Sequence, residues 1–259
     1  MAKTRIELEK EPEVENPLFL EGLAGIGHIG RNCVSYLADH LEAEKIGELH
    51  SHHFPPYTIV HDDKTINIIK NDIYQLQRED KEDLILLEGN AQASTPEGHY
   101  EVAEKILGFA DKVEANEIIT LGGYGKGDVV EDPEVLGVTT KKEIQEEYEG
   151  HGIKFDHDVG QIVGASGLLL GLGKDKGYNG ICLLGETPGF LMSDPKATES
   201  VLKVIEDILD EDIDYSKLDE KVEESQEILK KLKNLQQQQG QGKSQDQDQG
   251  QGQDLGYIG

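Results

Sequence analysis

Three continuous apolar runs constrain the fold more than anything else in this chain: Asp83–Leu87, Glu117–Leu121 and Gly180–Leu184. Each is too short for a buried helix and lacks the alternation of a strand with one wet face. Such runs are strands buried on both faces, and they need helices above and below them. The intervening segments supply those helices. One is expected from about Ile29 to Leu41, and another from Thr95-Pro96-Glu97 to about Ala110, with Thr95 as N-cap and Pro96 at the favoured first position. A third starts at Lys141. A fourth is opened by Asp194-Pro195 and carries Ala197, Val201, Ile205, Ile208 and Leu209 on one face. The glycine-rich apolar stretch Val159–Leu172 reads as a buried helix with close neighbours. Shorter strands are expected at Leu18–Leu20, Ile46–His52 and Val135–Thr139. Tyr57–Val60 and Thr65–Ile69 read as a hairpin, which points to a mixed sheet. The predicted fold is an α/β three-layer sandwich with a mixed, mainly parallel sheet.

The pattern divides the chain into five parts. Residues 1–16 alternate charge with few apolar positions and are expected as a solvated lead-in. Residues 17–210 form the α/β body. Residues 211–235 carry a helix on which Leu218, Val222, Ser225, Leu229 and Leu232 fall at heptad spacing. That seam can serve either packing on the chain's own body or contact between subunits. Residues 236–254 hold ten Gln, four Gly and three Asp among nineteen, a composition that builds no core and is expected to be disordered. As a random coil this linker reaches roughly 25 Å. The composition then changes abruptly to Leu255-Gly256-Tyr257-Ile258-Gly259, an apolar tip that reads as a tethered ligand.

Charge narrows the partners. The chain has 52 acidic against 25 basic residues, a formal net charge of −27. Such a surface repels phosphate backbones, so nucleic acid and anionic membrane are not expected partners. It serves either solvation or the steering of a basic partner. Two cysteines, Cys33 and Cys182, are widely separated and give neither a disulfide scaffold nor a thiolate metal site. The charged N-terminus has no apolar run behind it, and Ile162–Leu172 is too short to span a bilayer. A cytoplasmic location is expected.

Several constellations could carry chemistry. Gly25-Ile26-Gly27-His28-Ile29-Gly30 is a literal G-x-G-x-x-G between a strand and a helix. Glu48, near the end of the next strand, lies about where a ribose-binding acid would. The hairpin after residue 52 interrupts the βαβαβ order such a site needs, so a tight turn with close strand–helix packing is the simpler reading. His50 and His52 would face one side of a strand, with His53, Asp62 and Asp63 nearby, but the set lacks convincing metal-ligand spacing, and neither metal nor cofactor is expected. Cys33 and Cys182 fall in apolar surroundings and are expected to be inert. Ser166, in Gly164-Ala165-Ser166-Gly167, is not a nucleophile elbow. Glu186 follows a buried strand, at the carboxyl end where α/β sheets bind ligands. Arg31 and Lys126 are the only basic residues beside glycine turns. An enzyme of nucleoside-phosphorylase or nucleotide-binding type, using the Gly25–Gly30 turn and the Glu186 loop, is the alternative to a non-catalytic protein.

From about Pro17 to Leu209 the chain resembles the proteasome assembly chaperone family in its archaeal single-chain form. The resemblance rests on Gly25-x-Gly27-x-x-Gly30, on Ile118-Ile119-Thr120-Leu121-Gly122-Gly123 and on Gly164-Ala165-Ser166-Gly167-Leu168-Leu169-Leu170. It rests also on Leu183-Leu184-Gly185-Glu186-Thr187 followed by Asp194-Pro195. It implies a non-catalytic domain, related in fold to nucleoside phosphorylases, that oligomerises, pairs with a related co-chaperone in some cases and assists the proteasome core α-subunits. The family resemblance also implies that the glycine turn is a fold feature. Members of this family and proteasome activators often end in a hydrophobic–Tyr–any-residue tail that inserts between α-subunits, its terminal carboxylate meeting a lysine. Here Leu255, Tyr257, Ile258 and Gly259 are the tail residues, with Tyr257 third from the end rather than second. That shift moves the carboxylate by ~3.5 Å relative to the ring. The expected seam residues for self-assembly are Leu218, Val222, Leu229 and Leu232.

Overall fold

The computed structural model describes residues 4–216 and 218–225. Among the described residues nine strands form one sheet: β1 (Thr4–Leu8), β2 (Leu18–Leu23), β3 (Glu44–Ser51), β6 (Asn71–Leu76), β7 (Leu84–Gly89), β8 (Glu117–Gly125), β9 (Val135–Thr139), β10 (Ile153–Lys154) and β11 (Asn179–Thr187). Their order is β1-β3-β6-β7-β2-β8-β11-β9-β10, and β4 (Thr58–Val60) with β5 (Ile66–Ile68) forms a separate two-stranded ribbon. The four central strands, β7, β2, β8 and β11, run parallel. Antiparallel pairs lie outside them: β1 with β3, β3 with β6, β6 with β7, and β11 with β9. The sheet is therefore mixed as expected, though for a different reason. The 57–69 hairpin stands apart from it, and the antiparallel character comes from β1, β3, β6 and β9.

Side chains of the central strands alternate between two cores. Leu18, Leu20, Leu84, Leu86, Ile119 and Leu121 pack with α1 (Ile29–His40) and α5 (Pro195–Leu209). Phe19, Ile85, Leu87 and Ile118 face α2 (Pro96–Lys112) and α4 (Ala165–Lys176). This is the three-layer arrangement, completed by the short α3 (Lys142–Glu147). Thr95 caps α2 as its sequence implies, its hydroxyl accepting from the Gly98 N–H at 3.1 Å. Asp194 does the same for α5, accepting from the Ala197 N–H at 3.0 Å.

Three expectations need correction. The lead-in carries β1, where Ile6 and Leu8 pack on the core of the α2 layer; its alternating charge is the signature of a half-buried edge strand. The helix expected from Val159 begins only at Ala165, because Gly164 adopts a φ of 99° that breaks the approach, and residues 159–163 stay in a loop. The strand expected to reach His52 ends at Ser51. Of the two roles open to the heptad seam, packing on the chain's own body is the one Leu218 and Val222 take: they are 4% and 8% exposed and sit in the core beside α1 and α5. Apolar residues at heptad spacing cover whichever apolar face lies nearest, and here that face is intramolecular. Leu229 and Leu232, and the tail residues Leu255, Tyr257, Ile258 and Gly259, lie outside the described residues.

Candidate functional site

At the carboxyl end of β2 the chain turns through Gly25–His28 into α1. Gly27 (φ 62°) and His28 (φ 49°) both adopt left-handed backbone, and the Gly27 conformation is the one its residue type suits. The other glycines serve contact. A Cβ on Gly30 would lie 2.2 Å from the Leu121 carbonyl oxygen, and one on Gly22 would lie 2.1 Å from the Gly30 carbonyl oxygen. The turn thus lets α1 sit directly on β2 and β8. Its outer side is occupied by Asp194, whose backbone N–H donates to the Gly27 carbonyl at 2.9 Å. The Asp194 carboxylate also accepts from the Thr187 hydroxyl at 2.7 Å. Asp194 therefore joins the glycine turn, the end of β11 and the start of α5. A carboxylate in this position opposes a pyrophosphate.

Glu48 is not near this turn. It lies on β3, three places from β2 in the sheet, and pairs with Lys45 at 2.7 Å and with Lys70. Although partial burial opposes it, these two lysines bring its pKa down to about 2. The histidines are dispersed. His50 meets Glu48 at 3.1 Å, His53 meets Glu101 at 3.1 Å, and His52 is exposed beyond the strand end. Asp63 holds the N–H and hydroxyl of Thr65 within its own turn, with Asp62 beside it. Among the described residues no three His, Cys, Asp or Glu side chains are grouped to hold a metal ion. Cys33 and Cys182 are buried, and burial pushes the Cys182 thiol up to about 12. Arg31 approaches Glu88 at 3.8 Å. Glu186 is buried and its carboxylate takes the Lys126 ammonium at 2.8 Å, so these two candidates neutralise one another.

The structure brings other residues together. A cavity of about 390 Å³ opens at the carboxyl ends of β2, β8 and β11. Ile26 of the glycine turn, Gly122 and Tyr124 of β8, Ile162 of the 159–163 loop, and Ser166 line it. Gln92 holds the opening in shape: its amide donates to the Ala24 carbonyl at 2.9 Å and accepts from the Ala165 N–H at 2.9 Å, tying the turn to the start of α4. Among the described residues no charged side chain lines the cavity, on a chain with a net charge of −27. One residue deeper, Glu21, Thr120 and Cys182 stand side by side across β2, β8 and β11. All three are fully buried. No hydrogen bond of ordinary length reaches either Glu21 carboxyl oxygen among the described residues. Burial raises the Glu21 pKa to about 7, opposed by the Ser166 hydroxyl and the Leu23 backbone. Sequence reasoning overlooked Glu21 and Gln92. The available signal for Glu21 was a lone acid inside the strand Leu18-Phe19-Leu20-Glu21-Gly22-Leu23.

No helix of the described residues is long and apolar enough to cross a membrane. Comparison with solved structures gives a TM-score of 0.85 to Pyrococcus furiosus PbaB, described as an archaeal proteasome activator, at 37% identity over 90% of this chain and 100% of that one. Pyrococcus furiosus PbaA, an archaeal homolog of proteasome-assembly chaperone, gives a TM-score of 0.71 at 28% identity over 92% of this chain and 94% of its own. An uncharacterized protein of Methanocaldococcus jannaschii is 39% identical over 91% of this chain and 90% of its own length. The profile of the PAC2 family matches residues 19–233, a span that takes in the glycine turn, Gln92, the strand-end cavity and the Asp194 junction. The chain belongs to the PAC2 family.

Proposed function

We propose that this chain is a non-catalytic proteasome assembly chaperone or activator that self-associates and engages the α-subunits of the proteasome core through Leu255, Tyr257, Ile258 and Gly259. The observation that carries this reading is the likeness to PbaB over nine-tenths of the chain, at an identity well above that needed for fold alone. The site chemistry agrees with it. Glu186 and Lys126 cancel in an ion pair, Asp194 fills the outer side of the glycine turn, and the histidines each have separate roles or none. The tail sequence supplies a candidate contact, an apolar peptide at the end of a polar, glutamine-rich stretch. Several tails on one oligomer raise their effective concentration at the α-subunits, so weak individual tips bind together with useful strength.

Pull-down with core α-subunits, comparing the full chain with one ending at Gln253, tests the proposal. The full chain is expected to retain α-subunits and the shortened chain to lose most of them. Binding by neither chain overturns the proposal. Equal binding by both removes the tail from it and moves the contact to the α/β body.

A further inference from the structure

We propose that the strand-end cavity is a binding site for a small amine with a compact apolar body, recognised at its nitrogen by the Ser166 hydroxyl, which the buried Glu21 backs from beneath. Three independent observations meet there. The cavity, at about 390 Å³, has the size of ordinary small-molecule sites and stands where parallel strands present their carboxyl ends. Its wall is uncharged and formed in part by Ile26, Ile162 and Leu184, which suits a ring or short hydrocarbon. Beneath it Glu21 is 0% exposed, with no hydrogen bond of ordinary length to either oxygen among the described residues. Burying a carboxyl without partners is costly, and folds that retain one have a use for it.

The geometry connects the acid to the cavity. Glu21 lies two residues before Leu23 on β2 and pairs with Thr120, which precedes Leu121 on β8; Leu23, Leu121 and Ser166 all line the cavity, and the Ser166 hydroxyl and Leu23 backbone also act on the Glu21 carboxyl. The Ser166 hydroxyl now donates to the Leu121 carbonyl at a long 3.3 Å. A hydroxyl carries one donor and two acceptor sites and rotates freely. It can therefore turn to donate to Glu21 while accepting from a ligand nitrogen above it. Thr120 and Cys182, the other groups beside Glu21, bring no positive charge, so the cation has to come from the ligand. An anionic ligand is disfavoured by Glu21 beneath and by the negative field of the whole chain, which attracts cations instead. The site is separate from the tail contact proposed above, and neither result decides the other.

The chain contains no Trp, so an indole probe can be followed by its own fluorescence when excited at the red edge of its band, where the nine tyrosines absorb little. Tryptamine, tryptophol and indole-3-acetate share the ring and differ in the polar end. Tryptamine is expected to bind saturably to the full chain, tryptophol about tenfold more weakly, and indole-3-acetate not at all. Glu21→Gln should weaken tryptamine to the tryptophol level, and Ser166→Ala, a smaller change in case the first variant misfolds, should weaken it in the same direction. Absence of saturable tryptamine binding overturns the proposal. So does equal binding to the parent and both variants, which would reduce the effect to counter-ion attraction by the acidic surface.

Discussion

Gly30→Ala is expected to lower the unfolding free energy by an amount at or above the top of the roughly 1–3 kcal/mol that overpacking usually costs. The added methyl would stand 2.2 Å from the Leu121 carbonyl oxygen and 2.8 Å from its carbon. Both are backbone atoms of a central strand, so no rotamer change relieves the clash. Either α1 lifts from the sheet or β8 shifts, and β8 is held by β2 on one side and β11 on the other. Gly25→Ala in the same motif is the control. Its Cβ would meet the Gln92 amide nitrogen at 3.6 Å and the Leu23 carbonyl oxygen at 4.0 Å, both ordinary contacts, so its effect should fall within about 0.5 kcal/mol of zero. Denaturant titration reads both: the midpoint should fall for Gly30→Ala at unchanged slope and stay put for Gly25→Ala. The contrast separates two uses of one motif. If the glycines served a pyrophosphate, Gly25 and Gly30 would be comparable in stability and differ in ligand affinity. If they serve strand–helix contact, only those pressed against backbone are costly to replace.

The same glycines show what the sequence makes legible. Close packing of α1 on β2 was readable from Gly25-x-Gly27-x-x-Gly30, because small residues between a strand and a helix have few other purposes. β7, β8 and β11 were readable because continuous apolar runs of this length have one stable placement. β6 was not. Of its three inward residues, Asn71, Ile73 and Gln75, two are polar. Asn71 exchanges hydrogen bonds with the Ala91 backbone, and Gln75 bonds Glu44 and the Glu13 N–H. Periodicity counts such residues as outward, and only the fold supplies the partners that reverse the count. The cavity was hidden for a similar reason. It depends on Gln92 bridging two loops 73 residues apart in the Gln92–Ala165 bond and 68 apart in the Gln92–Ala24 bond, separations that leave no local pattern. The candidate acids illustrate the limit. Glu48 and Glu186 stood at plausible offsets but are neutralised by lysines, whereas Glu21, hidden in an apolar strand, is fully buried with no ion pair among the described residues.

Glu21→Gln should stabilise the protein at neutral and alkaline pH while leaving acid stability nearly unchanged. The folded-state pKa of Glu21 is raised from 4.5 to about 7, with burial as the main cause. In the unfolded chain the group ionises at its ordinary value. Between those two values the folded state holds a proton that the unfolded state has released. Folding therefore takes up a proton in this window, and stability falls as pH rises through it. Below the unfolded pKa both states are protonated and nothing is lost; above about 7 both are ionised and the full penalty applies. Converted by the linkage relation, the penalty is on the order of 3 kcal/mol. Glutamine stays neutral throughout, so unfolding curves of parent and variant should coincide near pH 4 and separate progressively towards pH 8. Glu117, also raised to about 7 by burial, keeps its own slope in both proteins, so the parent's decline should shrink but not vanish. A variant that tracks the parent at every pH would mean that Glu21 is solvated in the folded state. A gap of the expected size would establish that the fold keeps, at the base of its strand-end cavity, an acid that would be better replaced for stability alone. Proteins hold such groups where a site requires them.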